Sequence, residues 1–539
     1  MIPLMKKISI LFALLLFGVN SMAQYGKLDA AFGTNGVVLF SADTPVSTYA
    51  VADFSFQSDG KIICVGSGAL NGSSIMFLAR FKTNGMIDTS FNKKGYLIYT
   101  PPGYHVTGRR VCIQADGKFV VCSYDYSPIF IRFKSNGSID STFGTNGFVV
   151  TDMGPSQDYP VDMKLQSDGK IIAGIEGQPA LNKQFEFTVV RLNTNGTIDT
   201  TFDHDGYANV DLVTGSYGHD ATTSLALQSN GKIIVAGTCE VSQINHKYGL
   251  TRLNSNGSLD KTFGTNGIVL AYYPQNNSQD IINEANDVLV QSDDKILLCG
   301  INDNFGTRKV TGIVGRFNSN GAVDISFGIN GFSFSSWDEI TQFSRMVLQP
   351  DGKVLVCGYN QNYISDMDVM VTRIHANGTT DTTFGVKGQF TTALNKYEDR
   401  LNSIGITPSG AILAVGTSVN FGMKKTDIEL LQLTAGNIIG IQNKSKISSP
   451  IFFYPNPANA YLTVEINHTK DVIMKGEMAL TDIVIFDIRG VENYHNVLTS
   501  SDLENEKITI DTKDFSEGIY FLRRSSINGS VTQKIVIQH

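Results

Sequence analysis

Arg252–Gly267 reads RLNSNGSLDKTFGTNG, and the chain keeps returning to it. Near-copies begin at Arg80 (RFKTNGMIDTSFNKKG), Arg132 (RFKSNGSIDSTFGTNG), Arg191 (RLNTNGTIDTTFDHDG), Arg316 (RFNSNGAVDISFGING) and Arg373 (RIHANGTTDTTFGVKG), with a shortened copy, YGKLDAAFGTNG, at Tyr25. The aspartate of the L-D-x-x-F core recurs as Asp29, Asp88, Asp140, Asp199, Asp260, Asp324 and Asp381, at intervals of 52 to 64 residues. A second element, QSDGK or a variant, starts at Gln57, Gln114, Gln166, Gln228, Gln291, Gln349 and, as TPSGA, at Thr407. Both elements therefore count to seven.

Within a unit, short apolar runs alternate with Asp-Gly or Asn-Gly. These dipeptides are strong hairpin signals because both central residues of a type I′ turn need positive φ. One unit runs SLALQ, Asn230-Gly231, KIIVAG, YGLTRLN, Asn256-Gly257, SLDKTF, GIVLAYY, which predicts an antiparallel meander of about four strands. Such a period points to an all-β fold, a β-propeller or another repeat array, in which units bury their faces against one another. The first unit holds only a last strand, Lys27–Phe40, and the final one, Ile404–Asn437, lacks that strand. Together they complete one blade, which predicts a closed ring of seven.

The core N-G-x-x-D-x-x-F-G-x-x-G resembles the delta-60 repeat family of secreted bacterial proteins, with departures at Asn92, Asp203 and Asp294. The resemblance spans residues 24–440 and implies a propeller in an exported protein.

The ends of the chain carry addresses. Lys6 and Lys7 precede an apolar run, Ile8–Val19, and Ser21-Met22-Ala23 places small residues before a cut at Gln24, so residues 1–23 read as a signal peptide. No transmembrane segment is expected in the mature chain. A linker, 441–451, lies within the polar run TAGNIIGIQNKSKISSP, and residues 452–539 read as a second all-β unit, a small immunoglobulin-like sandwich. Tyr454-Pro455-Asn456-Pro457, then Gly490, then Gly518 and Tyr520 of GIYF resemble, in order, the landmarks of the type A C-terminal sorting domain of type IX secretion. That resemblance implies that the type IX machinery of a Bacteroidetes-type bacterium handles residues 452–539. The product would be released or attached to the outer cell surface.

Charge narrows the partners. A net charge of −7 with 17% charged residues lacks the basic stripe that nucleic acid requires. Cys122, Cys299 and Cys357 each fall four residues after a lysine, inside an apolar strand, so the six cysteines are expected as buried small hydrophobes. A Cys112–Cys122 disulfide is disfavoured because a two-residue turn puts the two on opposite faces. Asp203-His204-Asp205-Gly206 mimics part of a calcium loop, yet no acidic ligand follows at the required spacing, so neither metal nor cofactor is expected.

Residues present in every unit serve the blade: the repeated Asp is expected on turn amides, the Phe three residues on between blades, and the repeated Arg on the Asp. No H-E-x-x-H, C-x-x-C, G-x-S-x-G or P-loop occurs, so no catalytic residue is assigned. Function is sought in what differs between blades. The tight turns are expected on one face and the longer loops on the other. There, Tyr104, His105, Tyr217, His219, Tyr272, Tyr273, Trp337 and Asp338, with Arg109 and Asp220 nearby, are the candidate binding residues. The expected function is recognition or adhesion towards a glycan or protein. The alternatives are a glycan-active hydrolase or lyase using loop carboxylates such as Asp338 and Asp220, and an architectural surface component.

Overall fold

The computed structural model describes residues 25–42, 46, 48–154, 157–179, 184–213, 219–242, 244–273, 281–304, 306–335, 340–361, 367–394, 398–420, 425–435, 452–454, 458, 460–465, 482–487, 492–497, 507–526 and 529–538. Repeat by repeat, the alternating apolar runs pair as expected. Blade 1 is Tyr49–Phe56, Ile62–Leu70, Ser73–Phe81 and Tyr96–Tyr99, antiparallel throughout. Five further four-stranded units follow, with first strands Thr107–Ile113, Tyr159–Leu165, Asp220–Leu227, Ile281–Val290 and Ile340–Leu348. Short parallel pairings such as Val310 with Ile340 join some neighbours edge to edge.

Blade 7 is the split one. Glu398–Ile406, Ile412–Asn420 and Lys425–Leu433 are completed by the N-terminal strand Val37–Phe40, which pairs antiparallel with Lys425–Leu433. The propeller therefore has seven blades and is closed by hydrogen bonds between its two ends.

The repeated residues build the seams. In blade 2, Arg132 Nε lies 2.8 Å from Asp140 Oδ2, and Thr142 N and Oγ1 donate to Asp140 Oδ1. Arg132 Nη1 then crosses to blade 3 and donates to the Thr194 carbonyl, while its guanidinium covers the Phe143 ring. The same cross-blade bond recurs from Arg80, Arg191, Arg252, Arg316 and Arg373, at 2.5–2.7 Å. In blade 7, Gln432 replaces the arginine and donates to Asp29. Burial pushes the Asp140 carboxyl up, but the Thr142 hydroxyl, Lys118 and Arg132 outweigh it and hold the group at about 2.

The repeated Phe sits where a side chain on the next blade's Asn-Gly turn would be. A Cβ on Gly137 would lie 2.7 Å from Phe91, and one on Gly26 would lie 2.7 Å from Phe384. Beside each contact, the amide after the Phe donates to the neighbouring turn: Gly33 to Asn84, Asn92 to Asn136, Gly144 to Asn195, Asp203 to Asn256, Gly264 to Asn320, Gly328 to Asn377 and Gly385 to Tyr25. These seven bonds run once around the ring.

The F-G-x-x-G segment is itself a reversal, with Gly147 N donating to Phe143 O. The last strand of each blade nonetheless runs back antiparallel along the third, so the QSDGK-type and repeat Asn-Gly turns gather at one end, while the connections between blades and the hairpins from second to third strand lie at the other. Asp203–Gly206 is one such reversal, with Asp205 accepting from Tyr207 N. All six cysteines are free, and burial holds their thiols well above the ordinary value.

In the second unit, Phe452–Tyr454, Tyr461–Glu465 and Lys507–Asp511 form one sheet. Asp482–Asp487, Glu492–Val497, Gly518–Ser526 and Gly529–Ile537 form another. Leu462, Val464 and Ile510 from the first share one buried cluster with Ile483, Leu522 and Ile535 from the second. Tyr520 is buried in that cluster and its hydroxyl donates to the Ser516 carbonyl at 2.9 Å. Gly518 opens its strand, whereas Pro455, Asn456, Pro457 and Gly490 lie outside the described residues, as do residues 1–23. Among the described residues, no helix is long and apolar enough to cross a membrane.

Candidate functional site: the mouth of the channel

The first strand of each of blades 1 to 6 carries an irregularity that the apolar alternation hides. Register slips by one residue between Val51 and Asp53, Gly108 and Arg110, Pro160 and Asp162, Thr222 and Ser224, Ala285 and Asp287, and Phe343 and Arg345. A bulge re-aims the side chains on either side of it. The skipped residues, Ala52, Arg109, Val161, Thr223, Asn286 and Ser344, with Asn402 at the matching place in blade 7, all line one pocket.

The residues just after the bulges, Asp53, Arg110, Asp162, Ser224, Asp287, Arg345 and, in blade 7, Ser403, form a bonded ring that serves as a floor, and of them Arg110 and Arg345 line the pocket itself. Ser224 Oγ lies 3.0 Å from Asp162 Oδ2 and 2.8 Å from Asp287 Oδ1. Arg345 Nη1 donates to Asp287 at 2.8 Å, Arg110 Nε sits 3.6 Å from Asp162, and Ser403 donates to Asp53 at 2.9 Å. Bulge amides complete the set, with Val111, Leu225 and Met346 each donating to a ring carboxylate of a neighbouring blade.

Lys164 adds a cation bonded to both oxygens of Asp162. Burial opposes its charge, but Asp162 and Asp287 outweigh that and raise it to about 12. Burial likewise raises Asp287 to about 6, with Lys164 opposing and Asp162 adding to the rise, whereas Lys164 and Arg110 carry Asp162 below its ordinary value despite its burial. One hydroxyl proton on Ser224 cannot serve both carboxylates at once, so the raised Asp287 is the group suited to hold a second.

Above this floor the pocket encloses about 510 Å³, within the range of small-molecule sites. Residues near the start of the first strands and the end of the second, such as Thr107, Ser67, Tyr124 and Glu176, wall it. It therefore lies at the end of the channel that carries the longer connections. Its lining is mostly hydroxyls, amides and charged groups.

Of the residues proposed from sequence that the structure describes, only Arg109 stands in this wall. Tyr104 packs edge-on against Phe148 at the core between blades 1 and 2. Tyr273 is buried against Phe332. Tyr272 is exposed, His105 is exposed with its amide donating to Asp125, and the His219 ring lies 4.4 Å from Phe185. Tyr217, Trp337 and Asp338 fall outside the described residues. Asp220 is buried and accepts from Leu212 N, as Asp158 accepts from Met153 N and Asp399 from Leu394 N; the three clamp equivalent loops. Among the described residues, no group of three or more His, Cys, Asp or Glu side chains is arranged to hold a metal.

The family described as a secretion system C-terminal sorting domain matches residues 452–538. The family described as a domain of unknown function (DUF5122) beta-propeller matches residues 57–91, 114–143, 166–202, 228–263 and 349–384. No curated protein matches the chain. Similar solved structures include PorZ, described as an essential surface component of the type-IX secretion system of Porphyromonas gingivalis, at 9% identity and a TM-score of 0.40, covering 93% of this chain. This chain spans 60% of PorZ's length. A polysaccharide lyase, PL25 ulvanlyase, is similar at 9% identity and a TM-score of 0.40, covering 77% of this chain and 96% of its own. YCF48 from Cyanidioschyzon merolae is similar at 12% and 0.36, covering 74% and 98%. At these scores the likenesses carry no argument about ligands.

Proposed function

The chain is a β-propeller of DUF5122 repeats that ends in a secretion-system sorting domain, and from that premise we propose that it is an exported recognition protein whose ligand seats in the channel mouth. Residues 1–23 would be removed on export, residues 441–451 would link the two units, and the type IX machinery would read residues 452–539. The product is then secreted or held at the outer cell surface. The observation that carries the ligand site is the polar pocket to which every blade contributes its bulge residue. Hydroxyl and amide walls of this kind suit a ligand rich in hydroxyls, so a glycan is favoured over an apolar protein segment. Exposed Tyr272, and the loops that hold His105, Tyr217, His219, Trp337 and Asp338, would form an outer contact rim.

A glycan-active enzyme is the second reading. Glu176 in the pocket wall supports it, because burial lifts its carboxyl above the ordinary value, towards a general acid.

One experiment separates the two. The mature chain, residues 24–539, is incubated with a panel of polysaccharides and host proteins, and retention and released reducing ends are scored together. Recognition predicts retention without product. That retention should disappear in Ser344→Trp, which places an indole in the mouth, and be only weakened in Tyr272→Ala, which trims the rim. Product at catalytic rates would establish the enzyme instead, and retention that survives Ser344→Trp would move the site out of the mouth.

A further inference from the structure

Among the seven bulge residues, only Arg109 is charged. The two arginines beside it in the floor are committed, Arg345 to Asp287 and Arg110 to the Asp162 side of the ring. The Arg109 guanidinium instead lies over the Tyr124 ring, 4.8 Å from its centroid, and among the described residues no carboxylate comes within ion-pairing distance of it. Glu176, on blade 3, is the only carboxylate among the pocket's lining residues, and it too lacks an ion pair among the described residues. Burial raises the Glu176 carboxyl, and the charges of His219 and then Arg109 oppose that rise. A cation and an anion are thus held apart across one wall, and a ligand can enter between them.

Two residues beyond Tyr124, Tyr126 forms the tip of the hairpin, alone between the paired Asp125 and Ser127. Its φ is +64°, and it is 68% exposed. The matching turn of blade 1 uses Asn71-Gly72, residues that tolerate this conformation. A tyrosine is strained in this left-handed conformation, and an exposed ring regains little by burial. Strain retained beside an open pocket points to a use for the side chain. The tip is also fixed in place, since the Tyr126 carbonyl accepts from Asp158 N of blade 3 at 2.9 Å.

We infer, on the footing of the recognition reading above, that blade 2 selects an acidic saccharide: Arg109 binds a carboxylate or sulfate on the sugar in the mouth, Glu176 accepts from its hydroxyls, and Tyr126 stacks on the next sugar ring. A guanidinium matches either planar or tetrahedral oxyanions through paired donors, and an aromatic face suits the apolar side of a pyranose.

The test is calorimetric titration of the mature chain with di- and tetrasaccharides of polygalacturonate, alginate, hyaluronan and carrageenan. Each is paired with its carboxyl-reduced or desulfated form, which separates carboxylate from sulfate recognition. At least one acidic form should bind ten-fold or more tightly than its neutral counterpart. Arg109→Gln should erase that difference. Tyr126→Gly, which relieves the backbone and so keeps the fold, should lower tetrasaccharide affinity to that of the disaccharide. Equal binding of charged and neutral forms overturns the inference, as does an unchanged length dependence in Tyr126→Gly. If neutral forms bind equally and Ser344→Trp abolishes them, the mouth remains the site and only its acidic preference falls. Failure of every saccharide to bind overturns both readings.

Discussion

At the scale of the residue, the repeated Asp and Arg act between blades more than within them. Arg252 joins its own Asp260 to the Ser319 carbonyl of the next blade, and five other arginines do the same. Asp140→Asn should therefore destabilise the propeller by about 3 kcal/mol, the usual result of leaving one member of a buried pair alone, as read by chemical denaturation. These carboxyls sit below their ordinary value of 3.8 in the folded state, so their stabilisation is complete above about pH 4 and is lost as pH falls towards 2.

Glu429 has the opposite sign. It is buried in the split blade with no hydrogen bond to either oxygen among the described residues, and burial, with Asp399 adding, raises it well above 4.5. The folded chain then keeps a proton that the unfolded chain releases, and stability is lost as pH climbs. Glu429→Gln should stabilise, with a gain that grows between pH 5 and 8 by at most about 1.4 kcal/mol per pH unit. The Arg–Asp pairing was legible from recurrence alone. Glu429 was not, because nothing in KKTDIELLQL marks which face of that strand is buried.

At the scale of the element, the turns and the bulges decide what the blades can do. The glycines of the two turn types share a left-handed backbone but differ in their surroundings. A Cβ at Gly117 meets nothing closer than 4.0 Å, whereas one at Gly196 lies 2.9 Å from Val149 and 3.0 Å from Phe143 of the neighbouring blade. Gly196→Ala should lower the melting temperature clearly more than Gly117→Ala, and equal losses would contradict the seam.

The N-terminal strand is the second lever. Removing residues 25–40 takes away the partner of Lys425–Leu433 and two of the seven backbone stitches, those at Gly33 and Tyr25. Amides of blade 7 should then exchange far faster than those of blade 3. Seven counts and a divided unit were enough to anticipate this closure. The channel floor was equally open to reading: the residue four before each Gln of QSDGK, or before Thr407, is Asp53, Arg110, Asp162, Ser224, Asp287, Arg345 and Ser403. It passed unseen because an inserted residue breaks the period of two, and a period-based reading assigns those side chains to the wrong face. The loop aromatics are the more conspicuous residues, yet Tyr104 and Tyr273 cap blades.

At the scale of the whole molecule, a closed ring presents a polar pocket to which all its blades contribute, and the C-terminal unit matches the family described as a secretion system C-terminal sorting domain. A chain ending at residue 440 should fold yet accumulate inside the cell envelope, while the full chain reaches the medium or cell surface; fractionation with blotting distinguishes them. The central claim is that ligand enters the mouth. Its most direct test is a crystal structure of the mature chain with the tightest-binding oligosaccharide from the panel. The account predicts density over the bulge residues, between Arg109 and Glu176. Density confined to the outer loops around Tyr272, or to the tight-turn face, would contradict it.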